Sequence, residues 1–283
     1  MKRLTRKKQS QIVSALVEGN SIRATSRMFG VSKGTVLKLQ VEAGYASADY
    51  QDRAFRNLTC KRIQCDEVWA FCYAKQKNVP AEKRAEFGYG DVWTWTAIDA
   101  GTKLIPSFTV GNRDAKTARI LIEDLAPRLR HRIQLTTDGL KAYLDAVEGA
   151  FGCDIDYAVL IKTYESSQEE TRYSPAVCTS CERKPIIGHP EPDHISTSYV
   201  ERSNLSIRMG IRRFTRLTNA FSKKVENHAA AVALYLMHYN FCRVHRTLRV
   251  TPAMEAKLTD HVWTITEMLE TIGLPEGTYA AAD

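Results

Sequence analysis

Between Cys60 and Ile161 the chain passes through a succession of hydrophobic periods that leaves few folds open to it. Cys60 to Tyr73 carries Ile63, Cys65, Val68, Trp69 and Phe71 and reads as a strand. A polar excursion from Ala74 to Gly90 reads as a hairpin or loop, and Val92 to Asp99, with Trp93, Trp95 and Ile98, as a second strand. Asp99-Ala100-Gly101-Thr102 is a turn, followed by a third strand over Leu104 to Val110. The period then changes. Ala118, Ile120, Leu121, Leu125 and Leu129 recur at near-helical spacing within Asp114 to Leu129. Arg132 to Thr137 returns to strand, Lys141 to Phe151 to helix, and Ile155 to Ile161 to strand. Three strands, a helix, a strand, a helix and a strand make an α/β order with a mixed sheet.

Three islands set acids into that frame: Cys65-Asp66-Glu67-Val68-Trp69, Thr136-Thr137-Asp138-Gly139 and Tyr199-Val200-Glu201-Arg202-Ser203-Asn204. The first two lie in strand-like runs, and the third opens a basic segment that reads as a helix. Taken singly, Asp66 is an ordinary surface or turn acid, Asp138 a turn former before Gly139, and Glu201 an acid favoured at a helix start. Their order is what points further. Three carboxylates from two strand regions and a helix can converge as oxygen ligands for Mg²⁺, a site suited to in-line displacement at phosphate. Glu67 is a rival to Asp66, but adjacent strand residues face opposite sides, so only one of the two is expected at the site. Arg208 follows Glu201 by seven positions, two helical turns, and shares its face. A cation there would hold a phosphate beside the metals, though it also reads as one more exposed arginine.

The chain's net charge of +8 is concentrated in two blocks. Residues 1–42 carry nine Lys/Arg against Glu18 and Glu42, and residues 201–250 carry ten against Glu201 and Glu226, so the remainder is net acidic. Two such blocks suit contact with a polyanion. In the first, helical periods over Gln9 to Glu18, Ser21 to Phe29 and Lys33 to about Val41 are broken by Gly19-Asn20 and Gly30-Val31-Ser32. That is a helix-turn-helix pattern, whose second member enters the major groove of double-stranded DNA. Lys33, Thr35 and Lys38 stand at the start of that member. In the second block, Arg202 and Asn204 are expected to position DNA or the helix, and Arg212, Arg213, Arg216, Lys223 and Lys224 to meet phosphates.

The resulting division is a helix-turn-helix module at 1–45, a linker at 46–57, a catalytic domain at 58–257, and a C-terminal helix and tail at 258–283. Within the catalytic domain, residues 166–198, rich in Ser, Thr, Pro and charge, read as an insertion loop. Cys178 and Cys181 have the C-x₂-C spacing of half a zinc site, with His189 and His194 downstream, but Pro185, Gly188, Pro190 and Pro192 make chance the simpler account. Trp69, Trp93 and Trp95 read as core aromatics. His228 and His238 read as structural groups within a packing helix, Val225 to Phe241, and His245 follows it. Thr251 can cap a short helix with Pro252 at its first position. Leu274 to Asp283 reads as a mobile tail. No apolar run approaches a membrane span, no signal-peptide core precedes the first module, and seven scattered cysteines suit a reduced, cytoplasmic protein.

The element order is compatible with the ribonuclease-H-like fold, in which the first strand and the strand after the first helix bring acids together. With the islands in that order, residues 60 to about 257 resemble the DDE transposases of the IS1 family of bacterial insertion sequences. The resemblance rests on the three acidic islands, the last extended to Leu205, and on Phe221-Ser222-Lys223-Lys224-Val225-Glu226-Asn227-His228. It implies a ribonuclease-H-like core, a triad of Asp66, Asp138 and Glu201 holding Mg²⁺ or Mn²⁺ (two ions per site), and cutting and joining of transposon ends. It further implies a homodimer or larger assembly on DNA. Relatives commonly carry a cysteine-rich zinc module near the helix-turn-helix, whereas the first cysteine here is Cys60. Two other readings stay open: a transposon-derived DNA-binding repressor without catalysis, and a nuclease without strand transfer.

Overall fold

The computed structural model describes residues 4–164, 178–215 and 219–276 of the chain. The expected strand succession is present as β1 (Arg62–Cys72), β2 (Gly90–Asp99), β3 (Ser107–Gly111), β4 (Gln134–Thr137) and β5 (Asp156–Tyr164). A further strand, β6 (Cys178–Ile187), extends them into one six-stranded mixed sheet in the order β3-β2-β1-β4-β5-β6. The first three form an antiparallel meander. Helices α4 (Ala115–Leu125) and α5 (Ala142–Phe151) then carry the chain back, so β4 runs parallel to β1 and β5 parallel to β4. The protein is therefore mixed α/β, an architecture compatible with the ribonuclease-H-like expectation.

β6 corrects the expectation of a loop over 166–198, although residues 165–177 lie outside the described residues. It pairs antiparallel with β5 at the sheet edge. Nearly every residue of it is exposed, so it has no buried face and leaves no apolar alternation to read.

The N-terminal helices are α1 (Arg6–Val17), α2 (Ile22–Phe29) and α3 (Lys33–Ala54), capped by the side chains of Thr5, Ser21 and Ser32. Gly30, in the left-handed conformation at φ 63°, ends α2 where the turn was expected. The linker expected over 46–57 is helical as far as Ala54, as a continuation of α3. This extension buries Ala43, Gly44, Ser47 and Gln51 against α7 (Val225–Phe241). A Cβ on Gly44 would fall inside the contact radius of the Ala230 backbone, so only glycine allows the two helices their present approach. Small and polar contact residues give a helix no hydrophobic stripe, which is why this half of α3 looked aperiodic.

Within α7, Asn240 accepts from the Ile105 amide at 3.1 Å and donates to the Ile105 carbonyl at 3.1 Å and to Gln51 at 3.2 Å. One buried amide thus joins α3, α7 and the segment before β3. His228 and His238 are buried, and burial lowers their pKa to about 3 and about 4, so both are neutral structural groups as expected. Trp95 is fully buried and donates to the Asn112 carbonyl at 3.0 Å; Trp69 and Trp93 are partly buried.

The remaining helices are α6 (Ser198–Gly210), α8 (Pro252–Glu255) and α9 (Ile265–Thr271). Thr251 caps α8 with Pro252 at its first position, as the sequence suggested. The start of the expected tail is anchored: Leu274 is buried and its carbonyl accepts from Arg6 on α1 at 2.6 Å. Residues 277–283 lie outside the described residues. No described helix is long and apolar enough to cross a membrane.

Candidate functional site

β4 pairs with β1 only over Arg62–Gln64 and ends at Thr137, one residue before Asp138. β1 continues past that end, so Asp138 stands beside the β1 edge that carries Asp66 and Glu67. Alternation along β1 is kept. Gln64 and Asp66 face α6, where Gln64 accepts the backbone N–H of Tyr199 at 2.9 Å and of Val200 at 3.1 Å. Asp66 Oδ2 accepts from Asn204 Nδ2 at 2.7 Å. Glu67 faces the opposite side, where Tyr143 of α5 donates to Oε1 at 2.6 Å and Arg113 Nε donates to Oε2 at 3.1 Å. Arg113 also reaches Asp138, with Nη2 3.5 Å from Oδ2.

Asp66, Glu67 and Asp138 nevertheless offer carboxylate oxygens within 4.8 Å of one another. This corrects the expectation that only one of Asp66 and Glu67 reaches the site. Where β4 stops, the β1 edge is open, and acids from both faces reach around it.

Glu201, the third expected ligand, does not belong to that group. Its carboxylate forms an ion pair with Lys162 of β5 and accepts from Thr197 Oγ1 at 2.6 Å. α6 is rotated so that Asn204 faces Asp66, while Glu201, three residues earlier, turns toward β5. Arg208 lies two turns along the same helix and is partly buried.

Burial is the first cause of the unusual acidities here. It raises Asp66 from its ordinary value to about 6, with the negative charges of Asp138 and Glu201 adding and a backbone N–H and Arg113 opposing. Burial likewise raises Glu67 to about 7, opposed by the hydrogen bonds from Tyr143 and Arg113. A compact set of oxygen donors that are costly to ionise unaided fits a hard divalent cation, whose charge would offset both burial and mutual repulsion.

The basic residues divide into two groups. Lys33, Arg212 and Lys223 line a cleft of about 610 Å³ between the N-terminal helices and the core, joined there by Arg23. Arg213 borders the same cleft but is turned inward, donating to Gln40 at 2.6 Å and to Ser222 at 3.1 Å, and burial lowers its pKa to about 10. That makes Arg213 a tie between α3 and the segment before α7 rather than a free phosphate contact. Thr35 hydrogen-bonds the Ser32 cap at 2.9 Å, and exposed Lys38 pairs with Glu42 at 3.6 Å. Arg202 and Lys224 are exposed, and Arg216 lies outside the described residues.

The candidate zinc residues do not assemble. The thiols of Cys178 and Cys181 are 3.4 Å apart on β6, but His189 follows six further residues of extended strand, roughly 20 Å along it. His194 hydrogen-bonds Arg62 at 2.8 Å. Tyr143, Arg113 and Lys162, which hold the acids, were not singled out from the sequence. Tyr143 falls inside the helix expected over Lys141 to Phe151, where no residue carries a functional signal, and nothing about the spacing of the two cations links them to the islands. No protein-family model matches the chain, and no curated protein matches it.

Proposed function

We propose that this chain is a DDE transposase with a ribonuclease-H-like core, cutting at transposon ends and joining them to target DNA. The observation that carries the reading is the meeting of Asp66 on β1 with Asp138 at the end of β4, beside a helix that bears Glu201 and Arg208. The donor set suits Mg²⁺ or Mn²⁺, held by Asp66, Asp138 and Glu67. Glu201 would join on leaving Lys162, and a second ion would need it. When bound, the metal would activate water or a 3′-hydroxyl and neutralise charge at the phosphate.

The chain's own residues supply the setting for that chemistry. Asn204 orients Asp66, and Tyr143 and Arg113 orient Glu67, so the carboxylates are held before any ion arrives. Arg208 is assigned to the phosphate flanking the scissile bond. Helices α2 and α3 would act as a helix-turn-helix on double-stranded DNA, with Lys33, Thr35 and Lys38 at the contact and Arg212, Lys223 and Lys224 along the backbone. Because α3 is one continuous helix seated on α7, the DNA-reading end would be held rigidly relative to the acids. Joining two ends together calls for a homodimer or larger assembly.

The test is to incubate the purified chain with labelled duplex from the DNA flanking its gene, with and without Mn²⁺, beside Asp138→Asn. Metal-dependent nicking and joining that disappears in the variant supports the proposal. Tight binding with no cleavage by either protein would establish the repressor reading, and nicking without joining the nuclease.

A further inference from the structure

Lys103, in the turn between β2 and β3, is an unusual place for a cation. It is only 7% exposed, and its backbone adopts the left-handed conformation at φ 62°, which non-glycine residues seldom take. Its ammonium donates to the Ala100 carbonyl and lies over the Tyr199 ring, 3.3 Å from the centroid. It forms no carboxylate ion pair among the described residues. The neighbouring acid, Asp99, attracts the ammonium from beyond ion-pair distance, its Oδ2 engaged by the Thr102 N–H at 2.7 Å and the Thr102 hydroxyl at 2.8 Å. A buried ammonium is ordinarily paired, so this one calls for an anion.

Lys103 lines a cavity of about 370 Å³ between the first turns of α6 and the segment after α7. Arg202, Arg243, His245 and Arg246 line it too, and no Asp or Glu does. The arginines are exposed at the rim. Burial and the charges of Lys103 and Arg243 hold the His245 pKa down, which places those cations around one space. Ile98 and Tyr239 add an apolar and aromatic wall that would strengthen any charge-assisted contact inside.

We propose that this cavity is a phosphate site that seats a backbone phosphate of a DNA strand leaving the acid cluster. Arginine forks at a rim and a lysine point charge at the base suit a phosphate. The location suits the same strand. Tyr199 and Arg202 flank Glu201 on α6, and Gln64, which holds that turn, is two residues from Asp66, roughly 7 Å along β1. The DNA source rests on the proposed function; the phosphate chemistry does not.

The experiment measures binding of labelled duplex DNA across a salt series for the full chain, Arg246→Ala and Lys103→Met. Inorganic phosphate is added in one arm and chloride at matched ionic strength in another. Each variant is expected to lose roughly tenfold in affinity, with the salt slope falling by about one. Inorganic phosphate is expected to compete for the wild type more than for the variants. Unchanged affinity and slope in both variants, with inorganic phosphate competing equally for all three proteins, would overturn the site, and exposed Arg246 keeps the test valid if Lys103→Met fails to fold. Phosphate binding that is lost in the variants while DNA binding stays unchanged would overturn the DNA source and leave a free-phosphate pocket. Mn²⁺ binding, followed by its paramagnetic resonance signal on the same proteins, separates the two readings. Absence of Mn²⁺ binding in the wild type alongside weakened DNA binding in the variants would remove the acid-site reading and keep this one.

Discussion

Asn204 of α6 donates its amide to Asp66 Oδ2 at 2.7 Å, tying the helix that carries Glu201 to the strand that carries the first acid. The contact adds α6 to β1 and the end of β4 as the parts of the fold that set the acid cluster.

Replacing that amide by a carboxylate should therefore be felt at once. Asn204→Asp puts a fourth acid against Asp66, and the metal-free protein should lose about 1–3 kcal/mol of stability through repulsion and the lost donor. Divalent metal should restore much of it. Urea unfolding with and without Mn²⁺ reads both effects, and a variant as stable as wild type in chelator would contradict the contact.

Asp66 and Glu67 also set a pH dependence. Their folded values, about 6 and about 7, lie above the ordinary 3.8 and 4.5, so between those limits the folded state binds more protons than the unfolded state. The stabilisation is complete below about pH 4 and is lost as pH rises to about 7, on the order of 3 kcal/mol per group before coupling among the acids. Urea midpoints in chelator, taken near pH 5 and near pH 8, should fall accordingly once the other titrating groups are matched by an Asp66→Asn, Glu67→Gln control. Added Mg²⁺ should flatten the trend, since it favours the ionised acids.

Freeing Glu201 is a sharper question. Lys162→Met removes the ion pair without shortening the stem, and Mn²⁺ should then bind about two- to fivefold more tightly, the modest gain expected of a half-exposed pair. Weaker or unchanged binding would argue that Glu201 does not join the metal.

Arg212 and Arg213 are neighbours with different expected losses. Arg213→Ala strands the Gln40 oxygen and takes one of two partners from Ser222, and should cost about 2–4 kcal/mol of folding stability. Arg212→Ala should leave the unfolding midpoint nearly unchanged and lower the salt slope of DNA binding by about one. The reverse pattern would mean that the side chains have been assigned to the wrong surfaces.

The approach of α3 to α7 has its own test. Gly44→Ala forces the helices apart at Ala230 and should destabilise by about 3 kcal/mol, although alanine is the better helix former. A stabilised variant would show that this contact is looser than the structure has it.

The sequence by itself determined the order of elements, because periods of two and near 3.6 are local and survive without knowledge of neighbours. It located α7 over Val225–Phe241, the cap of α8 at Thr251, the turn at Gly30, and Asp66 and Asp138 on the first strand and after the later one. Only the tertiary structure decided the company those acids keep. Glu67 enters the cluster because β4 ends beside it, and no property of β1 reports where its neighbour stops. Glu201 turns to Lys162 because of the rotation of α6, which depends on how Gln64 and Asn204 seat that helix against β1. β6 and the second half of α3 were invisible for a related reason: one has almost no buried face, and the other packs through Gly44 and Ser47, so neither carries a hydrophobic period.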